Sequence, residues 1–458
     1  MTDTDGLRTA MHAAVDHEKA PADELIRQVM RRHRRRRHVA LAGVAALAAL
    51  AVAVPAGLGA FGHLLKPARP NQPPASPTLY IYGYGYGYDG EVSHTGPLVR
   101  TVTPVNTATG TPGKPIHVGL GRFEVSVPQV VITPNGKTAY VTGPSGWVTP
   151  ISTATNTPGK PIHVAGGHIR AIAITPDGKT AYVTTQTGAI TPISTATNTA
   201  GPPLYVNGGP RSWGGAIAIT PNGKTAYVTT LSGVTPITLA TGTPGTPIFN
   251  HGQVDTFGPA GSASENITIT PNGKTAYVLN QNGSVTPINT ATNKPGGLIG
   301  SDRFNAVAAL GGIGQIAITP DGKTAYTATT ITGCGGNCLH RGITVTPINT
   351  ATNTPGTPIN FEVGADGIGQ IAITPDGKTA YVTTGSTVTP ISTATNTPGT
   401  PIHVGGGASQ IVMTPDGKTA YVTTGSGVTP ISTATNTPGK PIHVVGTNPQ
   451  GIAIAITP

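Results

Sequence analysis

Short apolar runs separated by polar turns recur along most of the chain. One unit begins "AIAITPDGKTAYVTT" at Ala171, and its two apolar runs flank Pro-Asp-Gly. Proline presets one turn torsion and glycine accepts a positive φ, so this tripeptide favours a tight hairpin. Runs of the type "VTPIST" and "PIHV" follow it in the repeats. The pattern predicts four short antiparallel strands per repeat.

The spacing of the repeats predicts a β-propeller. Successive turn prolines are 42, 45, 50, 49, 55, 40 and 43 residues apart, the last interval ending at Pro458. Four strands within such a period are typical of one propeller blade. Copies of "TP(D/N)GKTAY" start at Thr133, Thr175, Thr220, Thr270, Thr319, Thr374 and Thr414.

The phase of the first and last repeats predicts that the ring closes on itself. "TLYI" at Thr78 aligns with "TAYV" but has no first strand before it, and "GIAIAITP" at Gly451 supplies an isolated first strand. One blade would then combine segments from both ends, which leaves no exposed strand edge. Eight third-strand motifs indicate an all-β, eight-bladed propeller closed by the C-terminal strand, with seven blades as the alternative.

The pattern "ITPDGKTAYVTT…VTPISTATNTPG" resembles the YVTN family of β-propeller repeats, found in surface-layer and other exported proteins of prokaryotes. The resemblance covers residues 78–458 and implies a propeller outside the cytoplasm, but no single activity. The chain departs from the family pattern because Tyr-Val-Thr-Thr replaces Tyr-Val-Thr-Asn. An aspartate expected in the third strand is replaced by the residues Ser152, Ser194, Asn289 and Ser392.

The region before the repeats carries a membrane signal. Residues 39–61 contain no charge over 23 positions, and six arginines lie between residues 31 and 37. A helix of this length crosses a bilayer, and basic residues before it hold the N-terminus in the cytoplasm. We predict a basic cytoplasmic tail (1–38), a transmembrane signal anchor (39–61), a Pro-rich stalk (62–77) and an exported propeller (78–458). A cleaved signal peptide is the alternative.

The formal net charge of +10 does not indicate nucleic-acid binding. Nine of the 28 basic residues precede residue 39, and no aromatic side chains are interleaved with the arginine cluster. The Gly-Lys-Thr triplets imitate part of a phosphate-binding loop, but a strand follows them instead of a helix. The seven turn lysines could form an anion-attracting ring, which we attribute mainly to repetition of the motif.

Cysteine and histidine usage gives little evidence for a metal site or a cofactor, and we expect neither. Cys334 and Cys338 are the only cysteines and are expected to form a disulfide outside the membrane. With His340 they could also form a weak metal motif. Four histidines at equivalent repeat positions are interpreted as structural, because different blades separate them: His117, His163, His403 and His443.

The candidate ligand-binding residues come from the connections that vary in length. All insertions fall between strands two and three or between strand four and the next blade, and both connections emerge on one propeller face. Variable loops on a rigid scaffold commonly carry binding residues. The candidates are Trp147, Trp213, Arg211, Arg122, Phe123, His168, Arg170, His251, Asp255, Phe257, Arg303, Phe304, Arg341 and Asp366, together with Tyr84, Tyr86 and Tyr88.

These patterns predict a monomeric, single-pass cell-surface protein that binds or scaffolds without catalysis. Its partners would be the membrane and a protein, peptide or cell-wall glycan. One alternative is a metal-assisted enzyme of the lyase or lactonase type. Another is a sensor that relays binding to the N-terminal tail.

Overall fold

The repeat motif folds into eight antiparallel sheets, because each turn sequence reverses the chain between a partly buried first strand and an almost fully buried second strand. The computed structural model describes residues 77–86, 98–121, 129–206, 214–230, 233–248, 266–280, 283–300, 314–332, 341–363, 370–425, 427–444 and 453–458. No helix in these ranges is long and apolar enough to cross a membrane. The predicted tail, anchor segment and all of the stalk but Pro77 lie outside the described residues.

We number the blades 1 to 8 from the first complete repeat. Their first strands are Val130–Ile132, Ile169–Ile174, Gly214–Ile219, Asn266–Ile269, Gln315–Ile318, Ile371–Ile373, Ile411–Met413 and Ala453–Ile456. Their second strands are Thr138–Thr142, Thr180–Thr185, Thr225–Thr230, Thr275–Leu279, Thr324–Thr332, Thr379–Thr384, Thr419–Thr424 and Thr78–Tyr86. Their third strands are Trp147–Ser152, Ala189–Ser194, Gly233–Thr238, Val285–Asn289, Arg341–Asn349, Thr387–Ser392, Gly427–Ser432 and Leu98–Asn106.

The fourth strand differs from the predicted single run. It begins as two-residue strands at Thr157–Pro158, Thr199–Ala200, Thr243–Pro244, Lys294–Pro295, Thr354–Pro355, Thr397–Pro398, Thr437–Pro438 and Thr111–Pro112. In five blades a second piece follows: Ile162–His163, Leu204–Tyr205, Ile359–Val363, Ile402–His403 and Ile116–Gly121. In blade 1 both pieces pair with the third strand, and Pro161 lies between them. Proline has no N–H to donate, so the ladder is interrupted there.

The first strands form a closed inner ring. Each contacts the first strands of both neighbouring blades, and the ring returns from blade 8 to blade 1. The strand order within each sheet runs outward from first to fourth. The prediction of an eight-bladed all-β propeller is confirmed, and the seven-bladed alternative is wrong.

Blade 8 combines segments that are far apart in sequence. Its first strand, Ala453–Ile456, pairs antiparallel with Thr78–Tyr86, placing Leu79 opposite Ile456. The Thr457 amide donates to the Thr78 carbonyl at 3.0 Å, and the Thr78 amide donates to Thr457 Oγ1 at 2.8 Å. The predicted sharing of one sheet between the two ends is therefore observed.

The core lies between the blades. Eight apolar clusters each combine buried side chains of two neighbouring sheets. In the cluster between blades 1 and 2, Tyr140 and Val148 pack with Ile172 and Val183. Since each blade buries one face against the next, no single blade has a core of its own.

In six of the eight blades the hydroxyl of the repeat tyrosine also bonds to an asparagine of the next blade. Tyr227 donates to Asn293 Oδ1 at 2.6 Å, and that asparagine closes the turn between the third and fourth strands of the following blade. The same bond, 2.5–2.7 Å long, links Tyr80, Tyr140, Tyr277, Tyr326 and Tyr381 to Asn156, Asn198, Asn353, Asn396 and Asn436. Repetition of "TAY" and "TATN" is thus explained by contacts between repeats.

Candidate functional site

The two faces of the propeller differ in the variety of their connections. We call the face formed by the turns between strands one and two and between strands three and four the turn face. The opposite side, where strands two and three join and where each blade leads into the next, is the loop face. The turns of the turn face keep nearly the same sequence in every repeat, whereas the loop-face connections differ in length.

The Pro-Asp-Gly-Lys turns are self-contained hydrogen-bonded units. Asp177 Oδ1 accepts the Thr175 hydroxyl at 2.6 Å and the Lys179 amide at 3.0 Å. These bonds, that of Thr175 first, hold the pKa of Asp177 below its usual value. Gly178 has φ 71°, as the turn requires. A strand follows the Gly-Lys-Thr triplet, so its geometry is that of a hairpin and not of a phosphate-binding loop.

Two long hairpins stand out on the loop face. In blade 8 the pairing of strands two and three continues to Tyr86 opposite Leu98, and in blade 5 to Thr332 opposite Arg341. In both blades the fourth strand extends to the same height: Gly121 pairs opposite Leu98, and Val363 pairs opposite Arg341. The backbones of three predicted residues, Tyr84, Tyr86 and Arg341, therefore lie in these two extensions.

A buried charge lies at the base of the blade 8 extension. The Arg100 side chain is only 4% exposed, and the residue sits opposite Tyr84 on one side and Gly119 on the other. A buried guanidinium needs polar contacts to offset its lost hydration. Arg100 was not predicted as a site residue; its only sequence signal is an arginine where blade 1 has Gly146.

Trp147 is one of two exposed large hydrophobic side chains among the described residues. It opens the third strand of blade 1, is 43% exposed, and lies opposite His163 of the fourth strand. The two rings meet edge to face, with centroids 4.8 Å apart and planes at 62°. Packing on His163 restricts the indole while leaving much of it open, which suits stacking on a ligand.

The neighbouring blade repeats this arrangement with different residues. Tyr205 of blade 2 occupies the position of His163 and is 44% exposed, and its partner across the strands is Ala189. Sequence reasoning did not include Tyr205 among the candidates. Its signal was an aromatic residue at a repeat position that is histidine in four other blades.

His168 and Arg170 lie near the inner ring, where the chain enters the first strand of blade 2. Both are partly buried. The His168 carbonyl accepts the Gln186 amide at 2.9 Å, and the Arg170 carbonyl accepts Gln129 Nε2 at 3.1 Å. These two residues therefore lie at the inner strand of blade 2, whereas Trp147 lies on the outer pair of strands of blade 1.

Glutamine side chains connect inner strands across blade boundaries. Gln129 Oε1 of blade 1 also accepts the Ile172 amide of blade 2 at 3.1 Å. The Gln129 side chain therefore both donates to and accepts from the edge of the inner strand of blade 2, as a backbone peptide group does in a sheet. Gln315 and Gln410 accept amides of the next inner strands in the same way, at 2.6 and 3.1 Å. These contacts were not predicted, although the sequence repeats glutamine before the first strand.

The remaining candidates lie outside the described residues. They are Arg122, Phe123, Arg211, Trp213, His251, Asp255, Phe257, Arg303, Phe304, Asp366, Tyr88 and the cysteines Cys334 and Cys338. Within the described ranges no group of three or more His, Cys, Asp or Glu residues is placed to hold a metal ion. The described inner strands present half-buried apolar residues such as Ala173 and Ile174.

Comparison with known proteins identifies the fold. No protein-family model matches the chain, and no curated protein does. The chain is similar to Kuenenia stuttgartiensis hydrazine synthase at 19% identity and a TM-score of 0.50, covering 69% of this chain and 98% of that one. It is also similar to the dihydro-heme d1 dehydrogenase NirN in complex with DHE, at 14% identity and a TM-score of 0.57, covering 81% and 74%. At these identities the likeness concerns the fold alone.

Proposed function

We propose that the chain is a membrane-anchored binding module that holds a protein, peptide or cell-wall glycan on its loop face. The supporting observation is Trp147, an exposed indole packed on His163 on the variable side of a rigid ring. Exposed, restricted aromatic rings supply large contact area at little cost in conformational entropy. The uncharged segment 39–61 would hold this ring at the outer surface of the cell membrane.

The ring itself favours a scaffold role. Its turn-face hairpins are held by repeated side-chain bonds, and its sheets are closed by pairing between both ends. Such a frame can present variable loops without changing its own shape. The lyase or lactonase and the sensor alternatives remain predictions from the sequence, and no described contact favours them over binding.

A glycan and peptide array probed with the detergent-solubilised full chain tests this function. Trp147→Ala should abolish or strongly weaken the strongest signal without unfolding the protein, because blade 2 already has alanine at the equivalent Ala189. His163→Ala should weaken binding less, since it loosens the indole without removing it. His403→Ala is the matched control, an exposed histidine at the same position of blade 6, paired opposite Thr387.

The proposal predicts that only the blade 1 variants lose binding. Equal binding by Trp147→Ala and the unmodified chain would remove Trp147 from the site. Absence of any specific signal on both arrays would count against the binding function itself.

A further inference from the structure

The lysines of the propeller are concentrated on one side. All eleven lysines between residues 78 and 458 are exposed. Eight of them lie in the turns of the turn face or in the first piece of a fourth strand: Lys137, Lys179, Lys224, Lys274, Lys294, Lys323, Lys378 and Lys418. The other three, Lys114, Lys160 and Lys440, follow two residues after the first piece of a fourth strand.

Acidic residues offset this charge only in part. Asp177, Asp321, Asp376 and Asp416 lie in the same turns, 3.5–3.8 Å from the lysine two residues on. The turns of blades 1, 3 and 4 have asparagine in that position instead. The seven turn lysines and Lys294 against these four aspartates leave an excess of four positive charges on the turn face. Of the other eight acidic residues after residue 77, Glu362 belongs to the strand Ile359–Val363 and the remaining seven lie outside the described residues.

The chain enters the propeller through this same lysine-rich face. The Pro77 carbonyl accepts the Thr107 amide at 3.2 Å, and Thr107 belongs to a turn-face turn. In blade 1 the Lys137 carbonyl accepts the equivalent Thr153 amide at 3.0 Å. Pro77 therefore takes, in blade 8, the position that a turn lysine takes in each of the other seven blades.

We propose that the turn face is a docking surface for an anionic lipid bilayer. This inference rests on the proposed membrane attachment and goes beyond it, because it assigns an orientation and a lipid preference. Pro77, the first described residue of the propeller, lies among the turn lysines, and the proposed anchor precedes it in the sequence, so the basic face is the one at which the chain would meet the membrane. The propeller then lies flat on the membrane, and the loop face with Trp147 points away from it.

The chemistry of the lysines suits this partner. Their side chains are long and, in the four paired turns, 81–83% exposed, so each ammonium can reach a separate headgroup. Spread over a flat ring, they match an extended sheet of phosphates better than one small anion. Attraction of this kind requires anionic lipid and weakens with salt. Insertion of the apolar segment has neither requirement, so the two contributions are separable.

The test is lysine labelling of the full chain in nanodiscs. One set contains phosphatidylcholine only, and the other mixes it with phosphatidylglycerol. A water-soluble amine reagent is applied at low and high salt, and each lysine is quantified by mass spectrometry. We expect the turn-face lysines to be labelled several-fold less in anionic discs at low salt, with full labelling restored by salt. A reporter lysine introduced as His403→Lys, on an outer strand, should be labelled equally in both discs.

Charge substitutions provide the matched controls. Lys224→Gln with Lys274→Gln should weaken the docking about thirtyfold and raise labelling of the remaining lysines. Lys224→Arg with Lys274→Arg keeps the charge and should leave their protection unchanged. Equal effects of both pairs would overturn the electrostatic assignment.

The outcomes separate this inference from the proposed function. If the chain enters both kinds of disc and its lysines are labelled equally, docking is wrong and the anchor stands. If the chain inserts into neither kind of disc, the proposed membrane attachment is wrong, and the docking that rests on it is wrong as well. A further arm adds the water-soluble headgroup glycerophosphoglycerol without lipid. Equal protection by it would show a free-anion site and overturn bilayer docking.

Discussion

At the scale of single residues, the asparagine of the "TATN" turn combines two functions. In six blades it adopts φ of 53–56°, a left-handed conformation that asparagine tolerates better than most residues, and its side chain accepts the tyrosine hydroxyl of the preceding blade. Blades 8 and 3 have Gly110 and Gly242 instead. Glycine provides the conformation without the hydrogen bond.

Gly110→Asn should therefore stabilise the propeller. Gly110 has φ 67°, and an added Cβ would meet nothing closer than Ile442 Cδ1 at 3.8 Å. The new side chain could accept the Tyr421 hydroxyl, which now donates to the Thr107 carbonyl at 3.2 Å. We expect a gain of about 1 kcal/mol, seen as a higher thermal midpoint at a fixed scan rate.

Two variants control this prediction. Gly110→Ala introduces a Cβ in the left-handed region with no acceptor, so it should cost about 1 kcal/mol. Gly242→Asn should gain less, because its Cβ would lie 3.0 Å from Leu204 Cδ2. A fall in midpoint for Gly110→Asn would contradict the proposed reason for the repeated asparagine.

At the scale of elements, the hairpin turn needs an acceptor and not a charge. Asn135 accepts the Thr133 hydroxyl at 2.7 Å and the Lys137 amide at 3.0 Å, as Asp177 does in blade 2. The two residue types therefore alternate among the repeats without any change in the turn.

Substitution of Asp177 distinguishes these contributions. Asp177→Asn should leave the free energy of unfolding nearly unchanged, whereas Asp177→Ala should lower it measurably because the Thr175 hydroxyl and Lys179 amide lose their acceptor. Chemical denaturation at neutral pH measures both. Since the pKa of Asp177 is lowered on folding, its small ionic contribution is present above the unfolded pKa and is lost as pH falls through the folded pKa. Similar losses for Asn and Ala would indicate that the charge matters after all.

At the scale of the whole molecule, the tyrosines make the ring sensitive to alkali. Burial raises the pKa of Tyr80, Tyr140, Tyr227, Tyr277 and Tyr326 to about 12. An unfolded tyrosine ionises near about 10. Between these values the unfolded state binds fewer protons than the folded state, so stability falls as pH rises.

We expect the thermal midpoint to fall steeply between pH about 10 and 12, with tyrosinate absorbance appearing together with unfolding. Tyr227→Phe should lower the midpoint at neutral pH, since its bond to Asn293 is lost, but should reduce the alkaline slope. Tyrosinate absorbance that rises near pH 10 while the fold persists would show that the hydroxyls are accessible to base.

How far the sequence predicted this molecule depended on the range of the interactions involved. Turn residues and the short apolar runs beside them are local features, so the hairpin at Asp177 could be predicted from a few consecutive residues. Ring closure could also be predicted, because a missing first strand at Thr78 and an extra one before Pro458 complement each other. The interruption at Pro161 was missed, since a two-residue pairing leaves almost no pattern.

Side-chain roles between blades were harder to predict. The hydrogen bond from the Ile172 amide to the Gln129 side chain joins residues 43 positions apart, and neither local sequence indicates that the two segments are in contact. The same holds for the buried Arg100, whose surroundings come from packing. For Trp147 the sequence indicated a loop-face aromatic, but only the pairing of the third and fourth strands showed His163 beneath it.

The sequence by itself determined the repeat and the way the ring closes and favoured eight blades over seven, because these follow from hydrophobic period, turn residues and phase along one chain; the structure then settled the number at eight. The tertiary structure decided which residues meet across blades, that Pro77 takes the place of a turn lysine, and that the turn lysines share one face. Those facts depend on neighbours brought together by closure of the ring, and no local pattern contains them.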